Sequence, residues 1–156
     1  MTYSKHLFYM RKSLQLAKEA AHQNEVPVGS VIVKDDILIG EGFNKVIGKN
    51  SPIMHAEIEA IEMACKTLGN YRIGKGSQIY ITLEPCHMCA KAILESRIDE
   101  VIFAVTEPKT GAIVSVDNFF EKTFHNHKVK YSYGILADES AEILRKFFHV
   151  RRKKTS

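Results

Sequence analysis

Residues 78–83 read Gln-Ile-Tyr-Ile-Thr-Leu, residues 85–96 carry a helical pattern opened by Pro85, and residues 101–105 read Val-Ile-Phe-Ala-Val. This strand–helix–strand alternation favours a layered α/β fold with a mixed sheet. The flanking segments agree with it. Residues 28–34 and 37–43 are short β-branched runs on either side of Asp35-Asp36, the pattern of a hairpin with an acidic two-residue turn. Residues 4–23 place Leu7, Met10, Leu14, Ala17 and Ala21 at helical spacing, with Ser4 as the cap, and residues 24–27 break the pattern. A loop over 44–51 leads to a helix over 55–68. Its buried stripe is Ile58, Ile61, Cys65 and Leu68, and Gly69-Asn70 stop it. Residues 128–133 offer a further strand. A last helix runs from Ala137 to about Arg151 and ends in Arg151-Arg152-Lys153-Lys154.

The length of 156 residues suits one domain over 1–156, with a basic C-terminal tail at 151–156. Hydrophobic residues make up 45% and charged residues 26%, which excludes a largely disordered chain. A net charge of +4 permits an anionic partner without demanding one. No apolar run approaches the roughly 18–20 residues of a membrane span. The first twelve residues carry Lys5, His6, Arg11 and Lys12 where a signal peptide needs an apolar core. The expectation is a soluble, cytoplasmic protein with no membrane partner. Three cysteines, two of them in Cys86-His87-Met88-Cys89, point to a metal site and not to a disulfide framework.

Cysteines three apart on a helix share a face, so both sulfurs reach one ion. His55, at the start of another helix, supplies a third ligand. Thiolates with imidazole favour zinc, and three protein ligands leave a fourth position open for water. Helix N-termini favour thiolate and oxyanion there. Glu57, two residues after His55, is placed to move a proton without being a ligand. Spacing alone leaves catalytic and structural zinc both open. A structural site wants a fourth ligand, and His22, His87, His125, His127 and Cys65 are candidates by type. Cys65 sits on the expected apolar stripe, His87 points to a different face from Cys86, and His125 and His127 lie in a polar loop facing solvent or substrate. A redox pair would leave His55 and Glu57 unexplained.

His55-Ala56-Glu57 with Pro85-Cys86-His87-Met88-Cys89 resembles the zinc nucleobase deaminase signature, histidine-x-glutamate followed by proline-cysteine-x-x-cysteine. Further segments resemble the bacterial tRNA-specific adenosine deaminases of that cytidine deaminase-like superfamily. They are Glu25-Val-Pro-Val-Gly29, Gly40-Glu-Gly-Phe-Asn44, Asn70-Tyr-Arg72, Thr82-Leu-Glu-Pro-Cys86, Lys109-Thr-Gly-Ala112, Gly134-Ile-Leu-Ala-Asp138 and Phe147-Phe-His-Val-Arg151. They occur in order over residues 26–152. His87, where a small or apolar residue is usual, and Lys91, where glycine is common, depart from the pattern.

The resemblance implies a three-layer α/β/α fold on a five-stranded mixed sheet, one zinc per chain, and a homodimer that binds a tRNA anticodon stem-loop. It implies conversion of adenosine to inosine at the wobble position, usually of an arginine tRNA, by zinc-activated water. By position, His55, Cys86 and Cys89 resemble the zinc ligands and Glu57 the proton shuttle. Asn44 resembles the asparagine that binds the extruded nucleotide. Val28, Ala56 and Pro85 resemble the pocket wall, and Glu107 an acidic residue near the flipped nucleotide. Phe147, Phe148, Arg151 and Arg152 resemble the tRNA-contacting end of the last helix, where rings stack and cations meet phosphate. Two other readings remain: a deaminase of a free base or nucleotide such as guanine or cytosine, and a noncatalytic zinc-bearing tRNA-binding subunit. The second would be expected to lack Glu57.

Overall fold

The alternation of side chains along the central strands decides the layering. In the computed structural model, which describes residues 2–155, β1 (Gly29–Lys34) sends Ile32 to one face of the sheet and Val31 and Val33 to the other. β3 (Ser77–Leu83) divides Ile79 and Ile81 from Tyr80, and β4 (Glu100–Val105) divides Val101 and Phe103 from Ile102 and Ala104. Both faces are therefore apolar, and both must be covered. α1 (Thr2–His22) and α4 (Ala137–Thr155) cover the face of Val31, Tyr80 and Ile102. α2 (Ala56–Leu68) and α3 (His87–Glu95) cover the face of Ile32, Ile79 and Phe103.

With β2 (Ile37–Phe43) and β5 (Lys130–Tyr133) the sheet has five strands, in the order β2-β1-β3-β4-β5. β1 is antiparallel to β2 and β3, and β4 is parallel to β3 and β5. The expected mixed sheet and three layers are present. The hairpin turns through Asp35 at φ 50° and Asp36 at φ 64°, the left-handed pair that matches strand twist.

Three details differ from the expectation. α1 starts at Thr2, so Ser4 lies inside the helix and does not cap it. α2 buries Ala56, Ala60 and Ala64 along with Glu57, whereas Ile58, Ile61 and Cys65 are half-buried and Leu68 is exposed. Glycine causes that rotation. Gly40 and Gly42 of β2 lie directly under α2, and a Cβ on Gly42 would fall 2.6 Å from the Ala56 carbonyl oxygen. A helix this close to a strand presents its smallest side chains to it, and the isoleucines fill the flanks. α4 also runs beyond Arg151, so residues 151–155 are its last turns and not a tail. Lysine and arginine there oppose the negative end of the helix dipole, which lengthens the helix.

A Cβ on Gly40 would stand 2.4 Å from the Ala60 carbonyl oxygen and 2.9 Å from the Ala64 nitrogen, backbone atoms that cannot swing aside. Gly40→Ala is expected to destabilise the fold by about 1–3 kcal/mol, as overpacking does. Urea unfolding of the purified variant measures it, and an unchanged midpoint would show that α2 is free to lift.

Candidate metal centre and catalytic pocket

One end of the sheet supplies the whole site. Val28 precedes β1, Asn44 follows β2, Glu84 follows β3 and Glu107 follows β4 by two residues, and the pairings of Gly29 with Phe43 and Leu83 with Val105 set these ends side by side. Open α/β sheets commonly place ligands at the carboxyl ends of parallel strands. α2 and α3 also begin there.

His55 is the N-cap of α2 and Cys86 the N-cap of α3, both in extended backbone, and neither side chain caps its own helix. Ring and thiol are thus left to face one another. His55 Nδ1 lies 3.7 Å from Cys86 Sγ and 3.5 Å from Cys89 Sγ, and the three ligand atoms fall within 4.8 Å of one another. Tetrahedral zinc, with bonds of ~2.0 Å to nitrogen and ~2.3 Å to sulfur, sets those atoms about 3.6 Å apart. The donor set fits the ion in type and spacing. Hydrogen bonding from Cys89, and then from His55, pulls the Cys86 thiol down to about 4 against the effect of burial. The same shared proton, with burial, pushes Cys89 up, and the bond to Cys86 pushes His55 up.

Among the described residues no fourth ligand joins the trio. His87 pairs with Asp117 at 2.9 Å, His125 Nε2 with the Phe119 carbonyl at 2.8 Å and His127 Nε2 with the Ile98 carbonyl at 2.7 Å. His22 lies near Glu19, and Cys65 points its thiol at the Tyr71 carbonyl. A set of three ligands with an open position is the catalytic pattern.

His55 and Cys86, two of the three donors, line a cavity of about 400 Å³, within the range of small-molecule sites. Val28, Asn44, His55, Glu57, Cys86, Glu107 and Arg151 line it. Glu57 is 4% exposed, and burial raises its carboxyl to about 6. Ala56 and Pro85 stand behind the wall: the Ala56 N–H donates to Asn44 Oδ1 at 2.8 Å, and the Pro85 carbonyl accepts from the Ala112 N–H at 2.9 Å. Phe147 lies outside the cavity, in a groove between α1 and α4 with Lys18 and Lys146, and Arg151 borders both spaces. Phe148 packs edge-on to Phe147, and Arg152 is exposed. Lys91 is also exposed and pairs with Glu95.

Three carboxylates that no sequence motif marks with a role shape this end. Glu25 accepts from the Ile47 and Gly48 N–H groups, Glu59 from the Phe43 N–H and Lys45, and Glu84 from several donors in the loop after β4. Burial works to raise the Glu84 carboxyl, but bonds from the Ser115 hydroxyl and from the Val114, Glu107 and Ser115 N–H groups together outweigh it and hold Glu84 below the usual carboxylate range. A glutamate set between apolar residues at a strand end, as in Leu83-Glu84-Pro85, was the available signal, because a buried carboxylate requires donors.

A profile of the cytidine and deoxycytidylate deaminase zinc-binding region matches residues 3–105. The tRNA-specific adenosine deaminase of Haemophilus influenzae is 44% identical over 146 residues, spanning 93% of this chain and 84% of that protein. The enzyme of the same description from Aquifex aeolicus is 41% identical, spanning 90% and 92%. A structure solved in a study of A-to-I editing by tRNA:A34 deaminases at the wobble position of transfer RNA matches with a TM-score of 0.85 at 39% identity, over 88% of this chain and 99% of that one. The ion held by His55, Cys86 and Cys89 is zinc.

Purified protein is expected to carry about one zinc per chain, and Cys86→Ser to lose most of it. Metal analysis decides this, and full occupancy in a Cys86→Ala, Cys89→Ala double variant would overturn the ligand set.

Proposed function

We propose, for a chain that belongs to the cytidine and deoxycytidylate deaminase zinc-binding family and within it to the tRNA-specific adenosine deaminases, that the substrate is the wobble adenosine of a tRNA anticodon, in an arginine tRNA, and the product inosine. The observation that carries this reading is a buried carboxylate, Glu57, on the same cavity as His55 and Cys86, with the basic last turns of α4 at its rim. A free base or nucleotide would need the same metal and the same glutamate. It would have no use for Arg151 and Arg152 beside Phe147, where Arg151 stacks on the ring at 5.1 Å.

Bound to its three ligands, zinc supplies a Lewis acid that makes water a nucleophile near neutral pH. Deamination exchanges the exocyclic amine at C6 for the oxygen of water and releases ammonia. Glu57 takes the first proton of that water, delivers it to N1 of the ring, and carries the second to the departing amine. Its burial keeps bulk water from competing for either transfer. Asn44 has committed its amide oxygen to the Ala56 N–H, so the group it offers a nucleotide is its NH₂. Val28 forms part of the wall, with Ala56 and Pro85 backing it, and Glu107 stands where the extruded nucleotide enters. Phe147 and Phe148 stack on bases, and Arg151 and Arg152 hold phosphates. An anticodon loop is already unpaired, which lowers the cost of taking the base out of its stack.

The active form in this reading is a cytoplasmic homodimer. Met63, Leu68 and Tyr71, exposed along and just beyond α2, are apolar surface that a second copy would cover. No helix among the described residues is long and apolar enough to cross a membrane.

Transcribed arginine tRNA incubated with the protein is expected to gain inosine at the wobble position, read as guanosine after reverse transcription. Glu57→Ala should keep zinc and tRNA affinity while turnover falls by ~10²–10⁴. Turnover within threefold of the parent would mean that another group moves the proton. Truncation after Val150 should lower the slope of log affinity against log salt by about 1.5–2.5, from the loss of two or three phosphate contacts. Titrations across a salt series measure the slope, and no change would remove the end of α4 from the RNA interface.

A further inference from the structure

Glu84 is 3% exposed and directly follows β3, two residues before the ligand Cys86, yet its bonds run to a different part of the chain. Its Oε1 accepts from the Glu107 N–H at 3.0 Å and from the Ser115 hydroxyl. Its Oε2 accepts from three successive amides, Ile113 at 2.9 Å, Val114 at 2.8 Å and Ser115 at 3.1 Å. All five donors belong to the loop after β4, which carries Glu107 and Thr110 into the cavity lining. Gly111 gives a second, independent sign of the contact. A Cβ there would fall 2.3 Å from the Glu84 carboxyl carbon, so glycine lets the loop close down on the carboxylate. Beyond Glu84, the Ala112 N–H donates to the Pro85 carbonyl at 2.9 Å, and within the loop Glu107 accepts on its side chain from the Lys109 N–H and on its carbonyl from the Gly111 N–H, both at 2.9 Å.

We infer that Glu84 is a positioning residue for substrate: its carboxylate fixes the loop of residues 107–115, and through that loop sets where Glu107 and Thr110 meet the nucleotides around the target base. The substrate class rests on the reading proposed above. An acid is required because five donors converge, and only a carboxylate offers acceptors on both oxygens with no hydrogen of its own. A glutamine keeps the shape but turns an NH₂ toward part of that donor set. Loop misplacement would then weaken substrate engagement more than the proton transfers, which Glu57 makes from α2.

The test compares Glu84→Gln and Gly111→Ala, which disturb the contact from its two sides, on an anticodon stem-loop. Both are expected to raise KM about tenfold, with kcat within about threefold and zinc content unchanged. Adding Glu107→Ala to Glu84→Gln should cost little beyond either alone, because the two act through one loop. Amide hydrogen exchange should quicken across residues 107–115 and not in α2. A fall in kcat at unchanged KM, loss of zinc, or fully additive effects with Glu107→Ala would overturn the assignment. If the parent protein makes no inosine, the substrate reading fails by itself. Hydrogen exchange then decides the inference alone, and unchanged exchange over 107–115 in Glu84→Gln would overturn it.

Discussion

α2 and α3 begin at the same end of the sheet, and the residue that opens each helix is a metal ligand whose side chain leaves its own backbone uncapped. The rest of the architecture serves that meeting. Gly40 and Gly42 let α2 lie against β2, which fixes the level at which His55 and Glu57 emerge. β3 runs straight into Glu84, Pro85 and Cys86, so the sheet itself delivers the second ligand, and one helical turn brings the third. The cluster draws three proton-binding groups together, and their mutual perturbation is the electrostatic counterpart of a site made to exchange protons for an ion.

The loops around the metal are held by buried or half-buried carboxylates, and the loop after β4 also by Ala112 and Ile113, which sit in the core. Glu25 ties down residues 47–48, Glu59 the end of β2, and Glu84 the loop after β4. Charged acceptors grip backbone N–H groups more strongly than neutral ones do, so the backbone of each loop is kept in one conformation. The mouth of the site can therefore remain polar enough to admit a charged substrate without becoming mobile.

Much of this was legible in the chain. Five strands and four helices follow from periodicity and turn residues, and the Asp35-Asp36 turn and the Gly69 stop are local chemistry that the fold repeats. His55, Cys86 and Cys89 could be paired because helical spacing and ligand type point to one geometry. The buried face of α2 was not legible. Alanine carries a weak apolar signal beside isoleucine, and what selects Ala56, Ala60 and Ala64 is glycine in a strand some twenty residues away in sequence. Glu84 was hidden for a related reason. A carboxylate's partners are backbone N–H groups, which every loop possesses and no motif records. The extent of α4 depends on a dipole that composition does not display.

The hairpin turn at Asp35-Asp36 lies at the opposite end of the sheet from the cavity, since β1 leaves Val28 and the site behind as it runs to Lys34. The last turns of α4, by contrast, reach the rim through Arg151. The two places differ as points of attachment. A surface linker, a fluorophore or a fused domain attached at Arg151 stands beside the entrance and competes for the same space as a large polyanion. Joined at the acidic turn, it is carried on the far side of the sheet and leaves the entrance open.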